Sequence, residues 1–115
     1  GIRFRYDEAK EYAKSIKEYL LQNSQIKTVK IAGSFRRKKE SVGDLDIVVI
    51  SNSNQIDEYF TKYPKTKEIL VKGDKKASII LTNNMQVDLR VFNQNSYATA
   101  LFYFTGSKAH NIYLR

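Results

Sequence analysis

At 115 residues the chain is long enough for one domain with a buried core. It has no cysteine, which excludes a disulfide framework, a thiolate metal site and a cysteine nucleophile; it also has no apolar run of membrane-spanning length and no signal-peptide pattern, so no membrane partner is expected. Lys and Arg number 20 against 12 Asp and Glu, and the net charge of +8 favours a polyanionic partner, while the lack of cysteine is compatible with an intracellular setting, either cytoplasmic (nucleoid) or nuclear.

Residues 1–6 are a basic, aromatic lead-in without an assignment. Asp7 to Asn23 reads as a helix, because Ala9, Tyr12, Ala13, Ile16, Tyr19 and Leu20 recur at three- and four-residue spacing. Asp7, Glu8 and Glu11 lie near its positive end, where acids are favoured. Lys10, Lys14, Lys17 and Glu18 read as a solvated face. Thr28 to Ala32 reads as a short strand delivering Gly33-Ser34, a small-residue turn. Ser34 has two readings, a helix N-cap or an anion contact beside the glycine. The run Arg36-Arg37-Lys38-Lys39 reads as a charged turn, a localisation patch or phosphate-facing charge, and Glu40 as a local ion-pair partner.

Gly43 to Ser51 is the central strand, and Ile47 to Ile50 (Ile-Val-Val-Ile) reads as buried. Strand alternation puts Asp44 and Asp46 on one face and Leu45 on the other. Two acids on one face repel unless a cation lies between them, and oxygen donors suit Mg²⁺. A metal beside an anion-binding turn and a basic run is the layout of phosphoryl or nucleotidyl transfer.

Gln55 to Tyr63 reads as a short helix stopped by Pro64, with Ile56, Tyr59 and Phe60 as its apolar stripe. Thr66 to Val71, Ala77 to Leu81 and Gln86 to Phe92 read as strands joined by tight turns, hence an antiparallel meander. Asp88 and Arg90 share one face of the last strand, and an antiparallel neighbour would bring Asp88 beside Asp44 and Asp46. Ser96 to Phe104 reads as a helix capped by Ser96, and Ser107 as the cap of a second helix through Arg115. Tyr103 and Phe104 read equally as core aromatics, and His110, the single histidine, as a surface or nucleic-acid-facing residue. From Leu89 to Arg115 there is no acidic residue. The first residue is Gly1, and the chain reads as a piece of a longer protein.

Gly33-Ser34 followed by Gly43-Asp44-Leu45-Asp46 resembles the Gly-Ser…Gly-Asp-x-Asp signature of the nucleotidyltransferase superfamily. With Arg36-Arg37 and Glu40, and with Val87-Asp88-Leu89-Arg90 and Tyr103-Phe104-Thr105-Gly106-Ser107 following in order, the chain is similar to the family X DNA polymerases. The resemblance covers about Ile31 to Arg115. It implies an α+β fold, the polymerase beta-like palm: a mixed, mostly antiparallel sheet of about five strands, helices on one face and carboxylates on the other. Residues 1–115 would form one palm domain, with about 96–115 leading into a truncated thumb.

The same resemblance implies repair-type transfer of dNMP from a dNTP to a primer 3′-hydroxyl on gapped DNA, using two Mg²⁺ ions, with Mn²⁺ as a substitute. Asp44, Asp46 and Asp88 would be the catalytic and metal-binding residues. Gly33, Ser34, Arg37 and Gly43 would hold phosphates, and Tyr103, Phe104, Gly106 and Asn111 the nucleoside. Arg90, Lys108 and Arg115 would face DNA, Arg90 also pairing with a catalytic Asp when the site is idle. Val42 departs from the pattern, standing where a small hydroxyl residue helps hold phosphate. The DNA-gripping elements that usually precede and follow such a palm are not in this chain, so the piece alone is expected to be weak or inactive. The oligomeric state is left open. A nucleotidyltransferase acting on RNA ends, small molecules or proteins, and a nucleotide- or DNA-binding fragment without turnover, are the alternatives.

Overall fold

The computed structural model describes residues 4–35, 41–100 and 110–111. After β1 (Phe4–Arg5), the first helix α1 (Tyr6–Leu21) buries Ala9, Ala13, Ile16 and Leu20 of the stripe read from spacing, packs its Tyr12 and Tyr19 half-buried against the core, and carries Asp7 and Glu8 in its first turn. It ends two residues early, where the Asn23 side chain accepts from the Gln25 N–H and turns the chain. The second helix α2 (Ile56–Thr61) buries Ile56 and Phe60. Tyr19 of α1 and Tyr59 of α2 fasten the helices together. Their rings stack at 4.4 Å, and each hydroxyl donates to the other's backbone carbonyl at 2.6 Å.

The strands are β2 (Ile26–Phe35), β3 (Ser41–Ser51), β4 (Thr66–Gly73), β5 (Lys76–Leu81), β6 (Gln86–Phe92) and β7 (His110–Asn111). They form one sheet in the order β4-β5-β6-β3-β2-β7, with β1 pairing against β3. The five longer strands, β2 to β6, match the expected α+β sheet, and β4-β5-β6 is the expected antiparallel meander. The β5–β6 turn is tight because Asn84 adopts a left-handed φ of 73°, and the Asn83 side chain accepts from the Met85 N–H.

Several expectations are corrected. The strand carrying Asp88, β6, does lie beside β3, but the two run parallel, not antiparallel. Local turn signals cannot show this pairing, because it closes across α2 and the β4–β5 hairpin, the long crossover that parallel strands require. Gly33 and Ser34 lie within β2 and neither form a turn nor open a helix. The helix expected from Ser96 begins earlier: Asn93 caps a 3-10 turn, Gln94–Ser96, by accepting from the Ser96 N–H at 2.9 Å, and α-helix follows at 97–100. The helix expected from Ser107 to Arg115 is not what His110 and Asn111 form; they are β7, paired with β2.

Alternation gives the sheet two different faces. Leu45, Ile47 and Val49 of β3, Val87, Leu89 and Val91 of β6, and Ala77, Ile79 and Leu81 of β5 pack with both helices in the main core. The other face carries Asp44, Asp46, Asp88 and Arg90. On that face Ala32, Val48 and Ile50 pack against Ala100 with Phe92 alongside, so the segment after β6 covers the sheet just beyond the carboxylates. No helix among the described residues is long and apolar enough to cross a membrane.

Candidate active site

Backbone register aligns the carboxylates. Reading across the sheet at one level, Ser78 of β5 pairs with Asp88 of β6, Asp88 with Asp46 of β3, Asp46 with Ala32 of β2, and Ala32 with Asn111 of β7. One step along β3, Asp44 is level with Gln86 of β6. Asp46 and Asp88 therefore sit on adjacent strands, about 4.8 Å apart in backbone terms, with Asp44 two residues away on the same face. The same-face reading of Asp44 and Asp46, and their approach to Asp88, agree with the alternation seen in the sequence. The parallel strand direction does not alter which face Asp88 takes.

β3 carries an irregularity against β2 at this level. Gly33 pairs with Leu45 and Phe35 with Val42, so Ser34 alone stands against Gly43 and Asp44. Two residues opposing one is a β-bulge, a device that re-aims the bulged strand beside functional sites. The Gly-Ser and Gly-Asp pairs thus meet on neighbouring strands, although both belong to strands and not to a loop.

Electrostatics distinguishes Asp46. Burial, then the charges of Asp44 and Asp88, raise its carboxyl from 3.8 to about 6, while the Arg90 guanidinium works in the opposite direction. Concentrated negative charge in a half-buried position is what a bound cation relieves. Asp88 is already engaged: its Oδ1 accepts from the Ser78 hydroxyl at 2.6 Å and from the Gln86 amide at 3.0 Å. Among the described residues, no three Asp, Glu, His or Cys side chains are yet gathered tightly enough to enclose an ion. In chemistry the donor set still fits Mg²⁺, with hard carboxylate oxygens, no sulfur and excess negative charge.

Gly33 and Ser34 lie on β2 beside the bulge, and Gly43 lies within it on β3. Arg90 shares the carboxylate face, level with Val48 of β3 and Lys76 of β5. Asn111 was expected on a helix and instead lies on β7, in the row containing Asp46. Arg37, Tyr103, Phe104, Gly106, Lys108 and Arg115 lie outside the described residues. Sequence reading missed Ser78 and Gln86. The signal was present at Ser78, a lone polar residue in the apolar run Ala77 to Leu81.

Residues 3–111 match the family model of the DNA polymerase beta palm. The chain is also 37% identical, over an alignment of 116 positions, to the DNA polymerase/3′-5′ exonuclease PolX of Bacillus subtilis (strain 168). That alignment takes in 98% of this chain and 20% of the relative, so the chain spans about a fifth of that protein's length.

Proposed function

The chain belongs to the DNA polymerase beta palm family, and from that premise we propose that it is the catalytic palm of a DNA-directed DNA polymerase. The reaction is transfer of dNMP from a dNTP to a primer 3′-hydroxyl, with short gaps in duplex DNA as the substrate. The observation that carries this reading is the level placement of Asp46 and Asp88, with Asp44 beside them, on the sheet face opposite the core. The raised carboxyl of Asp46 supports it, since that charge is costly until a cation shares it.

Asp44 and Asp46 would hold two Mg²⁺ ions and Asp88 one of them, with Mn²⁺ able to substitute. When bound, the ions acidify the attacking hydroxyl and offset charge on the departing pyrophosphate. The remaining work belongs to the chain itself. The bulge sets Gly43 and Asp44 of β3 against Ser34, next to Gly33, where backbone N–H groups and the serine hydroxyl can hold phosphate oxygens. Arg37 adds positive charge that matters most as the leaving group forms. Asp88 accepts the proton of the primer hydroxyl. Tyr103, Phe104, Gly106 and Asn111 shape the nucleoside site, and Arg90, Lys108 and Arg115 meet DNA, Arg90 also countering the carboxylates when the site is idle. Residues 1–115 act as one palm, with 96–115 as its passage toward a thumb.

Primer extension with radiolabelled dNTP tests the reading, with gapped DNA, RNA ends and small acceptors offered in parallel. Label on gapped DNA in the presence of Mg²⁺ is the expected result. Label only on RNA or a small acceptor assigns a different nucleotidyl transfer. Calorimetric binding of Mg²⁺–dNTP without any transfer identifies a binding module.

A further inference from the structure

We propose that Ser78 and Gln86 are positioning residues that fix the orientation of the Asp88 carboxylate for nucleotidyl transfer. The proposal rests on the reading of this face as a palm active site. Its geometry is independent of that reading. Both donors bond the same oxygen, Oδ1, at 2.6 Å from the Ser78 hydroxyl and 3.0 Å from the Gln86 amide. Rotation of the carboxylate about its Cβ–Cγ bond therefore has to break both bonds together.

The two donors come from different directions. Ser78 is level with Asp88 on the neighbouring strand β5, and Gln86 lies two residues before it on β6, on the same face. Ser78 is 4% exposed and stands in the otherwise apolar run Ala77 to Leu81 of β5. A buried hydroxyl in such a place is unfavourable unless bonded, and this one donates its proton to Asp88. Gln86 is level with Asp44 on β3 while its amide donates to Asp88, so it stands between two of the carboxylates. A neutral donor suits that position. An acid there would add repulsion, and a lysine or arginine would bring a full charge in competition with the cation.

A carboxylate that is bonded on one oxygen and restrained in rotation presents its other oxygen along a defined direction. Ligand orientation by such partners commonly governs metal affinity and turnover, and losing one costs roughly 10- to 100-fold. A purely architectural bond between β5 and β6 predicts something different, namely loss of stability with no change in ion binding or turnover.

Three substitutions separate these roles. Ser78→Ala removes the hydroxyl without adding volume, Ser78→Thr restores one, and Gln86→Met keeps length while removing the donor. Each protein is measured three ways: Mn²⁺ titration without nucleotide, followed by electron paramagnetic resonance; single-turnover primer extension across a Mg²⁺ series; and thermal melting. Asp88→Asn serves as the control for loss of the ligand. Ser78→Ala and Gln86→Met should each weaken Mn²⁺ binding in the same direction as Asp88→Asn, by about 10-fold. Extension should slow by a similar factor and need more Mg²⁺, with KM for dNTP held within about twofold. Ser78→Thr should recover most of both losses. Unchanged Mn²⁺ affinity and unchanged Mg²⁺ dependence in Ser78→Ala overturn the proposal, whatever happens to its melting point. If Ser78→Ala fails to fold, Gln86→Met decides by the same criteria. If the unaltered protein transfers nothing, the Mn²⁺ titrations alone decide whether Ser78 and Gln86 position Asp88, and an unaltered protein that binds no Mn²⁺ counts against the palm reading itself.

Discussion

Asp46→Asn should stabilise the metal-free protein. The Asp46 carboxyl is raised from 3.8 to about 6 by burial and by the charges of Asp44 and Asp88, with Arg90 opposing. A carboxyl raised on folding binds its proton more tightly in the folded state, so stability falls as pH climbs from 3.8 through about 6. Above that window the cost is fully present, and below it the cost vanishes. Taken at face value such a shift is worth about 3 kcal/mol. The group is only half-buried, and solvent screening brings the figure to roughly 1–2 kcal/mol. Asparagine preserves the shape and removes the charge. Urea unfolding in a chelator at pH 7.5 should therefore find the variant more stable by that amount, equivalent to roughly 4–10 °C in Tm. At pH 4 the difference should shrink toward zero. Adding Mg²⁺ and dNTP should reverse the order, since the unaltered protein gains from binding and the variant gains less. A variant no more stable than its parent at pH 7.5, or one whose advantage persists unchanged at pH 4, would refute the reasoning.

Asp88→Asn keeps an oxygen that can accept from Ser78 and Gln86, so its stability should stay within about 1 kcal/mol of the parent. Calorimetry should find its Mg²⁺–dNTP affinity retained, whereas single-turnover extension should find transfer abolished. Asp46→Asn should weaken Mg²⁺–dNTP binding as well, because Asp46 serves both proposed ions. Tyr19→Phe deletes a hydroxyl bonded at 2.6 Å to the Tyr59 carbonyl; unfolding curves should register a loss of about 1 kcal/mol with transfer unaffected. Asn84→Ala forces a Cβ-bearing residue without local hydrogen bonding into φ 73° and releases the Lys67 ammonium bonded to its side chain at 2.7 Å. It should lose about 1–2 kcal/mol on denaturation, and Asn84→Gly should lose less.

The parts of this molecule visible in its sequence are those fixed by local periodicity. β6 runs from Gln86 to Phe92, the limits its alternation indicates, and the same alternation assigns Asp44, Asp46 and Asp88 to the face away from the core. Ala9, Ala13, Ile16 and Leu20 are likewise buried as their spacing requires. What escaped reading depends on partners distant in the chain. The parallel union of β3 and β6 is closed by a crossover whose direction no turn residue encodes. Gly33-Ser34 looks like a turn because small residues mark turns, but here they belong to a strand paired with the bulged β3 on one side and, at Gly33, with β7 on the other. Asn93 outcompetes Ser96 as the cap because its side chain reaches the Ser96 N–H across a 3-10 turn. Ser78 gains its significance only from the register that sets it against Asp88. The tyrosine pair of α1 and α2 is legible in composition but not in geometry, since each ring also reads as ordinary core.

The most direct test of the three-carboxylate site is single-turnover transfer with protein in molar excess over gapped DNA, so that weak grip on DNA does not limit the reaction. Radiolabelled dNTP and Mg²⁺ are supplied to the unaltered protein and to Asp88→Asn side by side. The account predicts Mg²⁺-dependent extension of the primer by the former and background label alone with the latter. Equal extension by both proteins, with either Mg²⁺ or Mn²⁺, would contradict it.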